Sequence, residues 1–380
     1  MRACPLRLLL SLTVLALAST AALAQPQPPT AALVGTVTDA ETGEPLIGVN
    51  VFIANSMTGT ATDAEGRYEL TRVPVGALRL FVSMIGFEQV AIDTLLREPR
   101  VYTIDVQLRP EVLELGEVTV EAKGDPRWKE RLERFTKLFI GETPNARETV
   151  IVNPEVLDFA NRGGEFIALA SEPLVIENRA LGYRIRYFLR EFKALPTRTQ
   201  YDGEPLFEEM EAESPEQQAA WEARRREAFI GSFRHFLLAL LAGQTEAQGF
   251  LTFSRPAADG TAASAGPLGG GNPVAGNQRF PLDPKTLLQP GASRAEYTLD
   301  FQGFVEVVFQ GELEDEAYLE WIGEGRRRPR FQTSMIRLER GPTTVDYKGD
   351  VLDPYGVTLF RYWAFERVAD EVPREYRPGR

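Results

Sequence analysis

The sequence predicts a mainly β protein whose first domain is all strand and whose second is α+β. Three observations carry this. Apolar residues alternate between two turn motifs across residues 35–88, strands with aromatic and branched side chains recur through the last hundred residues, and one strong helical stretch, Pro215 to Leu241, lies between them. A sandwich followed by an antiparallel-sheet domain with a long buried helix is the expected architecture.

In the first domain Asp39, Gly43 and Pro45 break the chain after one strand, and Asp63 and Gly66 make a tight hairpin between two others. Val49, Val51 and Ile53 share one strand face, as do Leu78, Leu80 and Val82. Val101, Thr103, Asp105 and Gln107 alternate with Tyr102, Ile104, Val106 and Leu108, as expected of an antiparallel strand with one side in water. Leu115 to Glu121 reads as a short closing strand, and Lys123-Gly124-Asp125-Pro126 breaks the chain after it.

The strings TGEPLIGVNV, GTATDAEGRYEL, VPVG and SMIGFE together resemble the carboxypeptidase-like regulatory domain, and the likeness carries residues 31–109 within a domain placed at 31–122. The resemblance implies a transthyretin-like sandwich of about seven strands, common in envelope proteins of Bacteroidota-type bacteria. It also implies a module without zinc ligands or catalytic residues of its own. Further on, NPEVLDF, LVIENRALGYRIRYFLREF and AFIGSFRHFL resemble an uncharacterised region found beside such modules, which brings no activity with it.

Residues 1–24 read as a signal peptide. Arg2 and Arg7 give a positive start, Leu8 to Leu17 an apolar run too short to span a bilayer, and Ala22-Leu23-Ala24 a small-x-small cleavage site before Gln25. Cleavage takes Cys4, the one cysteine, with it, so the exported chain is expected to have no disulfide, thiolate metal site or cysteine nucleophile. The formal charge moves from −12 to −14, and an acidic surface argues against nucleic acid as a partner.

The second domain is placed at 125–380. Asp125 and Pro126 suit the start of a helix whose apolar residues Trp128, Leu132, Phe135 and Phe139 recur at spacings of three and four. Strands are expected at 148–152, 165–170, 174–177 and 183–192, the last with Tyr183, Ile185, Tyr187 and Leu189 on one face and arginines on the other. Ser214, Pro215 and Glu216 suit the first turn of the long helix, and Gly243 its end. After a strand at 249–254, residues 255–277 are rich in Gly, Ala and Pro and read as a flexible insertion. Strands at 297–301, 304–309, 331–338, 343–347 and 357–365 are expected to share one sheet with those at 165–192.

The chain is poor in catalytic residue types. His235 is the only histidine, and its place in the apolar half of a helix favours a packed, hydrogen-bonded side chain over a general base. No metallocarboxypeptidase set, no G-x-S-x-G elbow and no phosphate-binding glycine loop is present. Glu312, Glu314, Asp315 and Glu316, with Tyr318 and Trp321 nearby, read first as a solvated acidic turn, with an acid pair for glycoside hydrolysis as the alternative. Asp39, Glu41, Asp63 and Glu65 read as turn residues before calcium ligands. Arg224, Arg225 and Arg226 and the run Arg326, Arg327 and Arg328 read first as partners of the chain's own glutamates, such as Glu222 for Arg226.

The functional expectation is an exported, non-catalytic envelope protein, periplasmic, outer-membrane associated or extracellular, that docks on an envelope protein or polysaccharide. No catalytic, cofactor or metal residue is assigned, and no transmembrane span is expected after cleavage. The alternatives are a carbohydrate-binding component of a glycan-uptake system, with Tyr362 and Trp363 as a stacking platform, and a carboxylate-dependent hydrolase.

Overall fold

A computed structural model describes residues 29–111, 126–195, 198–255, 278–291 and 296–378. The proposed signal peptide, the closing strand at 115–121, the boundary at 123–125 and all but Arg255 of the expected insertion lie outside the described residues.

The first domain is a sandwich of β1 (Thr30–Asp39), β2 (Asn50–Ile53), β3 (Gly59–Ala61), β4 (Arg67–Pro74), β5 (Gly76–Ser83), β6 (Val90–Leu96), β7 (Val101–Thr103) and β8 (Val106–Leu108). One sheet joins β4, β1, β7 and β8, and the other runs β3-β2-β5-β6. Alternation fixes which side chains meet: Val49, Val51, Ile53, Leu78, Leu80 and Val82 all enter the core between the sheets.

Two local readings change. The turn at Asp63–Gly66 is tight, yet β3 and β4 on either side belong to different sheets. The 101–108 stretch pairs with β1 in parallel, not antiparallel, and is interrupted at Ile104 and Asp105, so β7 and β8 count as one broken strand and the sandwich as seven. The interruption lets the Ile104 carbonyl accept from Tyr68 Oη at 2.8 Å and sit so close to Gly35 that a Cβ there would be 2.0 Å from it.

The body begins with α1 (Pro126–Phe139), followed by β9 (Thr149–Ile151), β10 (Leu157–Arg162), β11 (Glu165–Ala170), β12 (Leu174–Asn178), β13 (Tyr183–Leu195) and β14 (Arg198–Glu209). In this six-stranded sheet β13 pairs with β14 on one side and with β12 and β11 on the other, and all the pairings are antiparallel. The apolar stripe of α1 lies on one face of it. Phe135 and Phe139 meet Phe159, Phe192, Tyr187 and Tyr201 at ring separations of 4.8 to 6.3 Å. Removing one such ring typically costs about 3–5 kcal/mol.

The expected long helix is two. α2 (Pro215–Phe229) is capped by Ser214, whose hydroxyl accepts from Gln217 N, and α3 (Phe233–Leu241) by Ser232. Gly231 separates them with φ +80, a conformation that only glycine adopts freely, and a Cβ there would be 2.8 Å from the Phe309 ring. Gly243, at φ +63, follows α3 where an end was expected.

The remaining elements are β15 (Phe250–Arg255), β16 (Phe280–Pro281), β17 (Leu288–Pro290), β18 (Glu296–Leu299), β19 (Phe304–Leu313), α4 (Glu316–Trp321), β20 (Phe331–Leu338), β21 (Thr343–Asp346), β22 (Val357–Arg361) and α5 (Tyr362–Phe365). They form a second sheet, β16-β15-β19-β20-β22, and a small third one, β17-β18-β21. The single sheet expected to unite both halves is thus three, because α3 and its own core separate them: Phe236 and Leu237 pack on Phe250, Val305, Val307 and Ile336. The mainly β class with several antiparallel sheets is as the sequence predicts.

The sandwich is docked on the body. Phe52 and Phe81, on the outer face of β2 and β5, close on Phe188 and Leu206, with the Phe52 and Phe188 rings 4.7 Å apart. The turn after β2 then joins the edge of β14: Asn55 N donates to the Pro205 carbonyl at 3.0 Å, and Phe207 N to the Ser56 carbonyl at 2.9 Å. Arg79 of β5 reaches Glu204 at 3.1 Å and the Leu352 carbonyl at 2.7 Å.

Candidate functional site

The chain after α5 runs between the two large sheets to the sandwich, as a strap of residues 366–376. Val368, Ala369 and Val372 belong to the core under α1. Ala369 N donates to the Ile140 carbonyl at 3.1 Å, and Asn178 Nδ2 donates to the Ala369 carbonyl at 2.8 Å. At the far end Arg374 N donates to the Asn55 carbonyl at 2.8 Å, and the Arg374 guanidinium meets Asp346 at 2.5 Å. Arg234 of α3 donates to the carbonyls of Lys348, Pro373 and Arg374.

Several cavities open along this strap: one of about 220 Å³ lies by Arg79, Glu204, Glu371 and Arg374, and three more meet at Glu366. The largest, about 520 Å³, is walled by Asn145, Glu227, Glu312, Asp315, Glu366 and Asp370. A second, about 290 Å³, lies between β14 and β22 against Tyr187, Arg198, Tyr201, Tyr355, Trp363 and Glu366. The third, also about 290 Å³, is bounded by Phe229, Arg234, Asp350, Glu366, Asp370 and Glu371. Glu366 stands on the wall common to all three.

The electrostatics follow from burying like charges together. Burial, and then Asp370, Glu312 and Asp315, push the Glu366 carboxyl well above the usual range. Burial raises Asp370 to about 6 against the opposing hydrogen bonds it accepts from Asn145 Nδ2, Arg367 N and Thr143 Oγ1. Burial and neighbouring carboxylates, Asp370 first, raise Glu371 to about 7. Carboxylic acids kept neutral near pH 7 can donate as well as accept, which suits hydroxyl-bearing ligands and general-acid chemistry. Among the described residues no group of three or more His, Cys, Asp or Glu is placed to hold a metal ion.

The residues singled out in the sequence are distributed around this centre. His235 is 8% exposed; its Nδ1 accepts from Gly231 N at 3.0 Å and its Nε2 donates to Gln248 Oε1 at 2.8 Å, which fixes the neutral tautomer at the α2–α3 junction. The acidic run is not a solvated turn. Glu314 is buried and accepts from Arg327 and Arg330 N, while Asp315 caps α4 and accepts from Tyr362 Oη at 3.1 Å. Glu312 and Asp315 face the large cavity, whereas Tyr318 packs into a core with Trp321 at its edge.

Asp39 and Asp63 accept backbone N–H groups of their own turns. Three of the six arginines, Arg224, Arg225 and Arg327, pair with the chain's own glutamates, and the expected partner of Arg226 goes elsewhere: Glu222 lies by Arg225, which is buried and also bonds Glu209 and the carbonyls of Leu181 and Gly182. Arg224 pairs with Glu148 and Arg327 with Glu314 and Glu324. Tyr362 and Trp363 are 7% and 3% exposed, so they form no stacking platform; Trp363 Nε1 instead donates to the Gly231 carbonyl. The aromatic strand expected at 357–365 ends at Arg361, and α5 turns both rings inward.

Sequence reasoning missed Glu366, Asp370 and Glu371. The available signal was their interleaving with Val368, Ala369 and Val372, which marks a buried strap and not a solvated tail.

Residues 33–120 match the CarboxypepD_reg-like domain. A segment of 87 residues is 39% identical to a TonB-dependent receptor of Formosa agariphila, covering 23% of this chain and 8% of that receptor. Among solved structures, a 5-hydroxyisourate hydrolase of Klebsiella pneumoniae is 21% identical over 22% of this chain and 93% of its own, at a TM-score of 0.18. A minor pilin of Streptococcus agalactiae is 16% identical over 22% of this chain and 46% of its own, at 0.19. These two likenesses carry no argument. The CarboxypepD_reg-like match ends before the strap and its cavities. No helix among the described residues is long and apolar enough to cross a membrane.

Proposed function

We propose that the protein is an exported, non-catalytic component of the cell envelope that acts by binding an envelope protein or polysaccharide. The observation that supports this most is the CarboxypepD_reg-like match together with the 39% identity to a segment of a TonB-dependent receptor. The docked sandwich refines the reading: Phe52, Phe81 and the 54–57 turn face the body, so an outside partner meets the other surfaces of the module. Fractionation with N-terminal sequencing tests export. A chain beginning at Gln25 in the envelope fraction is expected, and an uncleaved cytoplasmic chain contradicts the reading.

One observation favours a second reading, a carboxylate-dependent hydrolase. Glu312, Asp315, Glu366 and Asp370 wall one cavity, and paired carboxyls are what glycoside hydrolysis uses. Hydrolysis of envelope polymers by the purified chain, lost in Glu366→Gln, is the outcome this reading predicts. The stacking-platform form of the glycan reading loses its support with the burial of Tyr362 and Trp363.

A further inference from the structure

The strap does two things at once. Its second half holds the sandwich: Arg374 N bonds the Asn55 carbonyl, the Glu375 carboxylate accepts from Met57 N at 3.3 Å, and Arg374 anchors both through Asp346. Its first half carries Glu366, Asp370 and Glu371 into the cavities between the sheets. Glu371, the last carboxylate of the first half, stands only three residues before Arg374 of the clamp.

We propose that residues 366–376 form a proton-operated latch: with Glu366 and Glu371 protonated the strap lies between the sheets and clamps the 54–57 turn of the sandwich, and their ionisation loosens the strap and its hold on that turn.

The groups facing the two carboxyls are mostly of one sign. Around the cavity that holds Glu366 stand Asp370 of the strap, Glu227 of α2, Glu312 of β19, Asp315 ahead of α4 and Tyr362 of α5. Toward Glu371 come Asp370, Tyr187 of β13, Tyr201 and Glu204 of β14 and Asp350 of the loop after β21, which share its cavities. The cations in the same cavities are committed elsewhere. Arg79 is held by Asp93 and Glu204, Arg374 by Asp346 and Asp350, and Arg234 by three carbonyls. Arg198 stands 3.8 Å from Glu339, and the Arg367 side chain hydrogen-bonds Tyr201.

The sign follows from linkage. Both carboxyls titrate higher in the folded strap than in a free chain, so the closed latch binds more protons than the open one. It is held fully below about pH 4.5, the ordinary glutamate value, and weakens as pH rises toward about 7, where Glu371 ionises.

Hydrogen exchange on residues 25–380 at pH 5 and pH 8, corrected for the intrinsic pH dependence of exchange, tests this. Protection of the amides in 366–376 and 54–57 is expected to fall by about tenfold or more at pH 8, the factor of one pKa unit. In Glu366→Gln/Glu371→Gln, which fixes both groups neutral and leaves Asp370 of the strap to titrate, most of that fall is expected to disappear. Equal protection at both pH values in the unaltered chain overturns the latch, and so does a double variant that keeps the wild-type dependence. A loss spread equally over β1 and β4 assigns the change to global unfolding and also overturns it. Should the double variant lack native near-UV dichroism at pH 5, Glu371→Gln alone replaces it, with half or more of the fall expected to disappear.

Discussion

Arg374 N donates to the carbonyl of Asn55 at 2.8 Å, so one of the last residues of the chain closes on the first domain. Asn55 stands at φ +54, in the left-handed region that asparagine tolerates better than most residues, and from there also engages the edge of β14. Sandwich, body and strap thus share a single turn.

Arg374→Ala removes the partner of Asp346, a carboxylate only 1% exposed. Leaving a buried charge unpaired costs about 3–5 kcal/mol. Chemical denaturation at pH 7 is expected to show a loss of that order, with Arg374→Lys recovering only part of it, since lysine lacks the planar fork.

Phe188→Ala opens the contact between sandwich and body without touching either main core, because its ring meets only Phe52 and Phe81 among the described aromatic contacts. A loss of about 3–5 kcal/mol is expected. It should register as earlier proteolytic cleavage near Asn55, while residues 126–195 stay protected.

His235 is held neutral, lowered by burial against the opposing bond to Gln248. The unfolded chain therefore binds a proton near its ordinary value of 6.5 before the folded one does, and this group's contribution to stability falls as pH drops below about 6.5. His235→Ala leaves Gly231 N without its acceptor at the α2–α3 junction and is expected to cost about 1–3 kcal/mol in a denaturation series.

Asp370 and Glu371 act in the opposite sense. Raised to about 6 and about 7, they keep protons in the folded state that the unfolded chain releases nearer 4, so their contribution is full below about pH 4 and lost as pH rises to about 7. The urea midpoint of Glu371→Gln is expected to exceed that of the unaltered chain at pH 8 and to match it at pH 4.5. Equal midpoints at pH 8 would refute the assignment.

Much of the fold was legible because alternation and helical spacing act locally. β11 and β20 match their expected limits, and the placing of Val49, Val51, Ile53, Leu78, Leu80 and Val82 inside the sandwich was readable from period two alone. What could not be read depends on partners distant in sequence. Phe52 and Phe81 occupy outer-face positions of β2 and β5 where alternation calls for polar residues, yet only the body shows what covers them. Tyr362 and Trp363 looked like a surface platform because the turn from β22 into α5 rests on Arg361 at φ +62, for which the sequence holds no glycine signal. The carboxylates of the strap acquire their character from Glu312, Asp315 and Glu204, on separate elements that only the folded chain brings together.

The most direct test of the account is a titration of purified, labelled residues 25–380 against isolated envelopes, with the isolated residues 25–122 alongside. Saturable retention of the full chain, without release of soluble fragments from the envelope, is the predicted result. Absence of saturable retention, together with release of such fragments, would contradict binding as the function and favour the hydrolase.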